Sequence, residues 1–104
     1  MNIVYTPELL DYMKQKKNNN ILVELAELNN TDLEIMELSI RLPDARTRNI
    51  FIEKKGYRVV KTEVGEVLLP RFPLDYSETI TFGLKKVLFF RQITCKGIST
   101  PRPI

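Results

Sequence analysis

Helical periodicity occurs once in this chain, and early. In TPELLDYMKQKK (6–17), Leu9, Leu10 and Met13 form an apolar stripe. Thr6 stands where an N-cap accepts an exposed N–H, and Pro7 fills the first helical position, where its missing N–H is not needed. Glu8 and Asp11 lie near the positive end of the helix dipole, and Lys14, Lys16 and Lys17 near the negative end. The run Asn18–Asn20 then stops the helix. NIVY (2–5) before it reads as a short strand, and everything after it is cut by Pro, Gly and Asn into β-rich pieces. One early helix followed by strands alone does not suit a doubly wound fold, which alternates the two. The expectation is an α+β domain: a mostly antiparallel β sheet, small sandwich or pseudo-barrel, capped by one N-terminal helix.

About seven strand candidates follow from the same pass. ILVELAEL (21–28) sets Ile21, Val23 and Leu25 on one face and Leu22, Ala26 and Leu28 with Glu24 on the other, so both faces are partly covered. NNTD (29–32) breaks it, and EIMELSIRL (34–42) is a further strand stopped by Pro43. PDARTRN (43–49) reads as a polar loop, and IFIEKKGYRVVKT (50–62) as two β pieces bent at Gly56. EVGE (63–66) reads as a hairpin tip before VLLP (67–70). After the proline-bounded PRFPLDYSE (70–78) come TITFGL (79–84) and the closing strand KVLFFRQITCKGI (86–98). Alternation along that last strand sets Val87, Phe89, Arg91, Ile93 and Cys95 on one face. Residues 1–98 are expected to form a single domain, with STPRPI (99–104) as a mobile tail.

Several chemistries are removed by residue counts. The chain has no histidine, so Ser–His and Cys–His activation and the usual neutral-pH base are absent. Zinc would need four ligands from a chain with one thiol. Four glycines make neither a GxGxxG nor a Walker-type loop. One cysteine excludes an internal disulfide, the N-terminus shows no basic segment followed by an apolar block, and no run of about 18 apolar residues occurs. A cytoplasmic, non-enzymatic protein with no membrane span and no metal is the expectation.

Charge is unevenly spread. Residues 1–40 carry three basic and seven acidic side chains, and residues 41–104 carry thirteen basic and six acidic. Such asymmetry suits either an anionic partner or two surfaces that attract each other within the fold or a homodimer.

Three groups of residues are candidates for chemistry. Cys95 falls with the apolar set of its strand, which favours core packing, while Lys96 beside it points to the opposite face of a strand. Glu24, Glu27, Asp32, Glu34 and Glu37 form an acidic set in which Glu24 and Glu34 could face each other across a sheet, although no known metal loop matches their spacing. Arg41, Arg46, Arg48, Lys54, Lys55, Arg58 and Lys61 form a basic segment interleaved with Phe51 and Tyr57. Basic strands with aromatics can make a platform for single-stranded nucleic acid, but Phe51 alternates with Ile50 and Ile52 and is more simply core.

MNIVYTPELLDYMKQKK followed at once by NILVELAEL resembles the opening of HesB-like domains, the A-type iron–sulfur carriers. LKKVLFFRQITCKGI resembles the end of the small HesB-like branch that includes selenoproteins. The resemblance spans most of residues 1–98 as an order of elements. It implies a small α+β domain linked to cluster biosynthesis, with a cysteine after the strand at 21–28 and a closing Cys-x-Cys. Here AELNNTD holds no cysteine and TCKGIS holds one, so only Cys95 carries over. A cluster typically takes four thiolates; one copy offers one and a symmetric dimer two.

The first reading is therefore a HesB-like domain without its own cluster site, acting through a protein partner. A second is an iron–sulfur cluster or metal carrier using Cys95 at a dimer interface. A third is a nucleic-acid module using the 41–61 segment.

Overall fold

The computed structural model describes residues 1–30 and 33–100, with side chains for 1–25 and 38–100. Nine elements follow in order: β1 (Asn2–Tyr5), α1 (Pro7–Gln15), β2 (Ile21–Asn30), β3 (Leu33–Arg41), α2 (Ala45–Glu53), β4 (Arg58–Lys61), β5 (Glu66–Leu69), β6 (Asp75–Val87) and β7 (Phe90–Ser99). They build an α+β fold of two mixed sheets with no closed barrel. One sheet has the order β1-β6-β7 and the other β3-β2-β5-β4. Pairing is antiparallel for β2 with β3, β4 with β5 and β6 with β7, and parallel for β1 with β6 and β2 with β5.

Helix α1 forms where its punctuation places it. Thr6 is the N-cap and its Oγ1 accepts from Leu9 N at 3.3 Å, with Pro7 at the first helical position. Leu9 and Met13 are buried in the main core, whereas Leu10 is exposed. At its far end Lys17 takes φ 52°, letting Asn18 N donate to Met13 O (3.1 Å) and Lys17 N to Lys14 O (3.1 Å). That is a Schellman closure with lysine at a position glycine usually holds.

The three asparagines do more than stop the helix. Asn18 Nδ2 donates to Pro43 O at 2.6 Å and Asn18 Oδ1 accepts from Asn20 N at 3.0 Å. Asn20 Oδ1 then accepts from Glu66 N at 3.1 Å, so the run joins the end of α1, the loop after β3 and the start of β5. Gly65 completes the joint: a Cβ there would overlap the carbonyl oxygen of Asn19.

The core follows the period-two alternation of the second sheet. Ile21 and Val23 of β2, with Val67 and Leu69 of β5, face the first sheet and meet Ile80, Phe82, Ile93 and Ile98. Leu22 and Leu68 point the other way, where Phe51 of α2 covers them. Over residues 21–25, the described part of ILVELAEL, the doubly apolar reading thus has a physical occupant on each side.

That occupant is the main correction to the sequence reading. PDARTRN and IFIE, expected as a loop and a β piece, form α2, so the sheets carry two helices rather than one. Asp44 caps it by accepting from Thr47 N at 2.7 Å, and Arg48 on its outer side makes a bidentate pair with Glu66 of β5 at 2.6 and 2.9 Å. The hairpin expected at EVGE is present: Thr62 N donates to Gly65 O at 2.8 Å, and Thr62 Oγ1 accepts from Val64 N and Gly65 N, both at 3.2 Å.

The second correction concerns the chain end. KVLFFRQITCKGI is not one strand, because Val87 pairs with Phe90 and the chain reverses at Leu88–Phe89. Val87 and Phe89 therefore do not share a strand face with Cys95. Farther along, the β6–β7 register shifts between Tyr76 and Thr81, opposite Gly97 at φ 102°. A side chain at Gly97 would meet Thr79 O at 2.5 Å, the close approach that a bulge brings. β7 continues to Ser99, and residues 101–104 of the expected tail lie outside the described residues.

Candidate docking surface

The expected sites are dispersed. Cys95 sits on β7 opposite Phe82, half-buried against the main core. Burial pushes its thiol up to about 11, against a smaller opposing pull from a backbone hydrogen bond at Ile98. At neutral pH only about one such thiol in ten thousand is ionised, and thiolate is the form that binds iron or attacks disulfides. A single half-buried sulfur supplies one of the four thiolates that a cluster typically takes. Among the described residues no three His, Cys, Asp or Glu side chains converge.

The acidic set does not assemble as Glu24 facing Glu34. Glu24 lies opposite Ser39 and Glu34 opposite Asn29, about 17 Å apart along the strand. Glu24 is paired instead with Arg41 at 3.0 Å. Asp32 falls outside the described residues, as do the side chains of Glu27, Glu34 and Glu37.

The basic segment is spread over the end of β3 (Arg41), α2 (Arg46, Arg48), its C-terminal end (Lys54, Lys55) and β4 (Arg58, Lys61). Arg41 and Arg48 are ion-paired, and Lys55 Nζ lies 4.5 Å from the centroid of Phe51. The aromatics of that segment are not offered to bases. Phe51 is buried beneath α2, and its ring meets Tyr57 edge-on at 4.9 Å. Tyr57 is half-buried with its hydroxyl accepting from Leu25 N at 3.1 Å. A stacking platform needs open ring faces.

What the sequence reading missed is the β6–β7 tip. Lys85 pairs with Gln92, Lys86 with Arg91 and Val87 with Phe90, leaving a two-residue loop of Leu88 and Phe89. Leu88 is 81% exposed, Phe89 102% and Phe90 59%. Leu88 also holds φ 53°, a left-handed conformation that costs a side-chain-bearing residue roughly 1–2 kcal/mol. Three consecutive large apolar side chains therefore stand in water on a strained turn. Such placement is expensive to keep unless something covers it.

Charge reinforces the site. Lys86 and Arg91 are direct cross-strand partners, an arrangement of like charges that weakens a hairpin. Glu8 and Asp11 of α1 border the same hollow, but among the described residues neither is ion-paired with Lys86 or Arg91. Tip and collar together make an apolar wedge with Lys86 and Arg91 behind it and Glu8 and Asp11 across the hollow from them. No described helix is long and apolar enough to cross a membrane. Compared with known proteins, the chain matches no family model, no curated protein and no solved structure.

Proposed function

We propose that this chain is a small non-enzymatic binding domain that acts through a protein partner, which it engages with the β6–β7 tip. The observation that carries this reading is Phe89, fully exposed at the apex beside a left-handed Leu88. Burying Leu88, Phe89 and Phe90 against a partner would yield on the order of 4–8 kcal/mol of gross apolar transfer, before the entropic cost of association. That is enough to make the tip the hot spot of a modest interface. The likeness of the opening and closing segments to HesB-like domains is compatible with a carrier scaffold whose cluster site is gone and whose protein contacts persist. The carrier alternative is weakened by Cys95 being a lone thiol, and the nucleic-acid alternative by the packed rings of Phe51 and Tyr57.

Photo-crosslinking from the tip tests the proposal. A benzophenone amino acid replacing Phe89 should capture a discrete protein. Once purified, that protein should bind the wild-type chain saturably and lose binding to Phe89→Ser. Absence of any saturable, tip-dependent protein partner would overturn the reading.

A further inference from the structure

Beside the tip lies a groove of about 730 Å³, bordered by the start of β7 (Phe90–Ile93), the end of β3 with Leu42, and Tyr12 and Lys16 of α1. Its apolar lining includes Ile40, Leu42 and Ile93. The charges around it are Lys16, Arg41 and Arg91 against one acid, Asp44, which is committed to capping α2 through Thr47 N at 2.7 Å. A second hollow shares Tyr12, Lys16, Phe90 and Arg91 and adds Lys86 and Phe89, so the concavity continues to the tip.

Backbone chemistry points the same way. β7 is the margin of its sheet: among the described residues only β6 pairs with it, while β3 of the other sheet packs against it without ladder bonds. An antiparallel strand directs alternate residues' N–H and C=O groups to each side. The stretch from Phe90 to Ile93 therefore borders the groove with a free strand edge beside an apolar lining and a basic rim.

Resting on the docking reading above, we infer that the groove receives an extended, acidic segment of the partner protein, added as a strand beside the start of β7. Its alternate apolar side chains meet Ile40, Leu42 and Ile93, and its carboxylates meet Lys16, Lys86 and Arg91. The Lys86–Arg91 pair then has a use. Glu8 and Asp11 border the same hollow without forming an ion pair to either base among the described residues, so carboxylates that do reach Lys86 and Arg91 relieve repulsion left in the free hairpin. A bilayer would accept the tip but leave the concave groove unfilled, which favours a chain over a lipid surface. Strand addition takes its affinity from main-chain bonds and its selectivity from alternate side chains.

A displayed library of random 12-residue peptides, selected on the purified full chain and counter-selected on the Phe89→Ser/Phe90→Ser variant, tests this. Enriched peptides should carry Asp or Glu alternating with Leu, Ile or Phe. The best of them, synthesised, should bind roughly tenfold more weakly to Lys86→Glu/Arg91→Glu and weaken as salt rises. Arg91→Gln alone should also weaken it while raising the thermal midpoint, since it removes the cross-strand repulsion without adding a third carboxylate beside Glu8 and Asp11. A merely structural Arg91 would not separate those two readouts. Tip-dependent peptides without acidic residues, or indifferent to charge reversal, overturn the acidic partner while leaving the docking reading intact. Tip-dependent binding to phosphatidylserine vesicles with no peptide enriched overturns it in favour of a membrane surface. If neither peptides nor vesicles bind, the inference fails, and capture from position 89 decides the docking reading separately.

Discussion

Removing the exposed tip should not weaken the fold. In a Leu88→Gly/Phe89→Ser variant, glycine takes the left-handed position at φ 53° without the roughly 1–2 kcal/mol penalty that leucine bears. Against this, glycine adds unfolded-chain entropy worth about 0.5–1 kcal/mol. Leu88 is already 81% exposed, so truncating it forfeits only about 0.4 kcal/mol of burial. Phe89, at 102% exposure, has no burial to lose. The balance is a small net gain of about 0.3–0.4 kcal/mol, or a rise of about 1–3 °C in the thermal midpoint of a domain this size. Urea unfolding followed by circular dichroism, alongside a thermal scan, measures it. A loss above about 1 kcal/mol would refute the reasoning, because it would mean that these side chains pack against the body of the domain. Stability retained or raised while partner binding vanishes is the pattern of residues kept for function at a cost to the fold.

Four further outcomes follow from packing and charge. Tyr76 Oη is buried without a hydrogen-bond partner among the described residues, so Tyr76→Phe should stabilise by about 1 kcal/mol in urea unfolding. Gly65→Ala should destabilise by about 3 kcal/mol in the same assay, because the clash is with the Asn19 backbone and not with a side chain that can move. Hydrogen bonding to Arg48 holds the Glu66 carboxyl below its ordinary range, so its stabilisation is complete above the unfolded-state pKa, near 4.3, and is lost as pH falls through the folded value. Glu66→Gln should therefore cost about 1 kcal/mol at pH 7 and less as the pH is lowered, read from paired denaturation curves. Cys95, with its thiol pushed up to about 11, should react with an aromatic disulfide at pH 8 far more slowly in the folded chain than in urea; equal rates would contradict its packing.

The sequence was most legible where local chemistry and tertiary role agree. Thr6, Pro7 and the Leu9–Met13 spacing announce α1, and alternation in ILVELAEL announces a strand covered on both sides. Helix α2 was hidden because ARTRNIFIE combines a polar first turn with Ile, Phe and Thr, which read as loop and strand. The available signal was Asp44 directly after Pro43, an N-cap three residues before Thr47. The β6–β7 tip was hidden for a different reason. A two-residue hairpin loop usually shows Gly, Asn or Asp, and Leu88–Phe89 shows none, so the alternation of Val87 ran on into Phe89 without a break. Cross-strand pairing of Lys85, Lys86 and Val87 with Gln92, Arg91 and Phe90 imposes the turn that local propensity does not request. The tip escaped detection because its residues break the usual turn rule.

The asparagine run has a consequence for how the chain can be rearranged. Surface polar connections ordinarily accept new termini or inserted residues, because little depends on their backbone. Residues 18–20 look like such a place and are the opposite. Lengthening that connection by one residue would separate Asn18 from Pro43, Asn20 from Glu66, or Asn19 from its fit against Gly65. A circular permutant opened there would free the end of α1 from both the β3–α2 loop and β5 at a single cut.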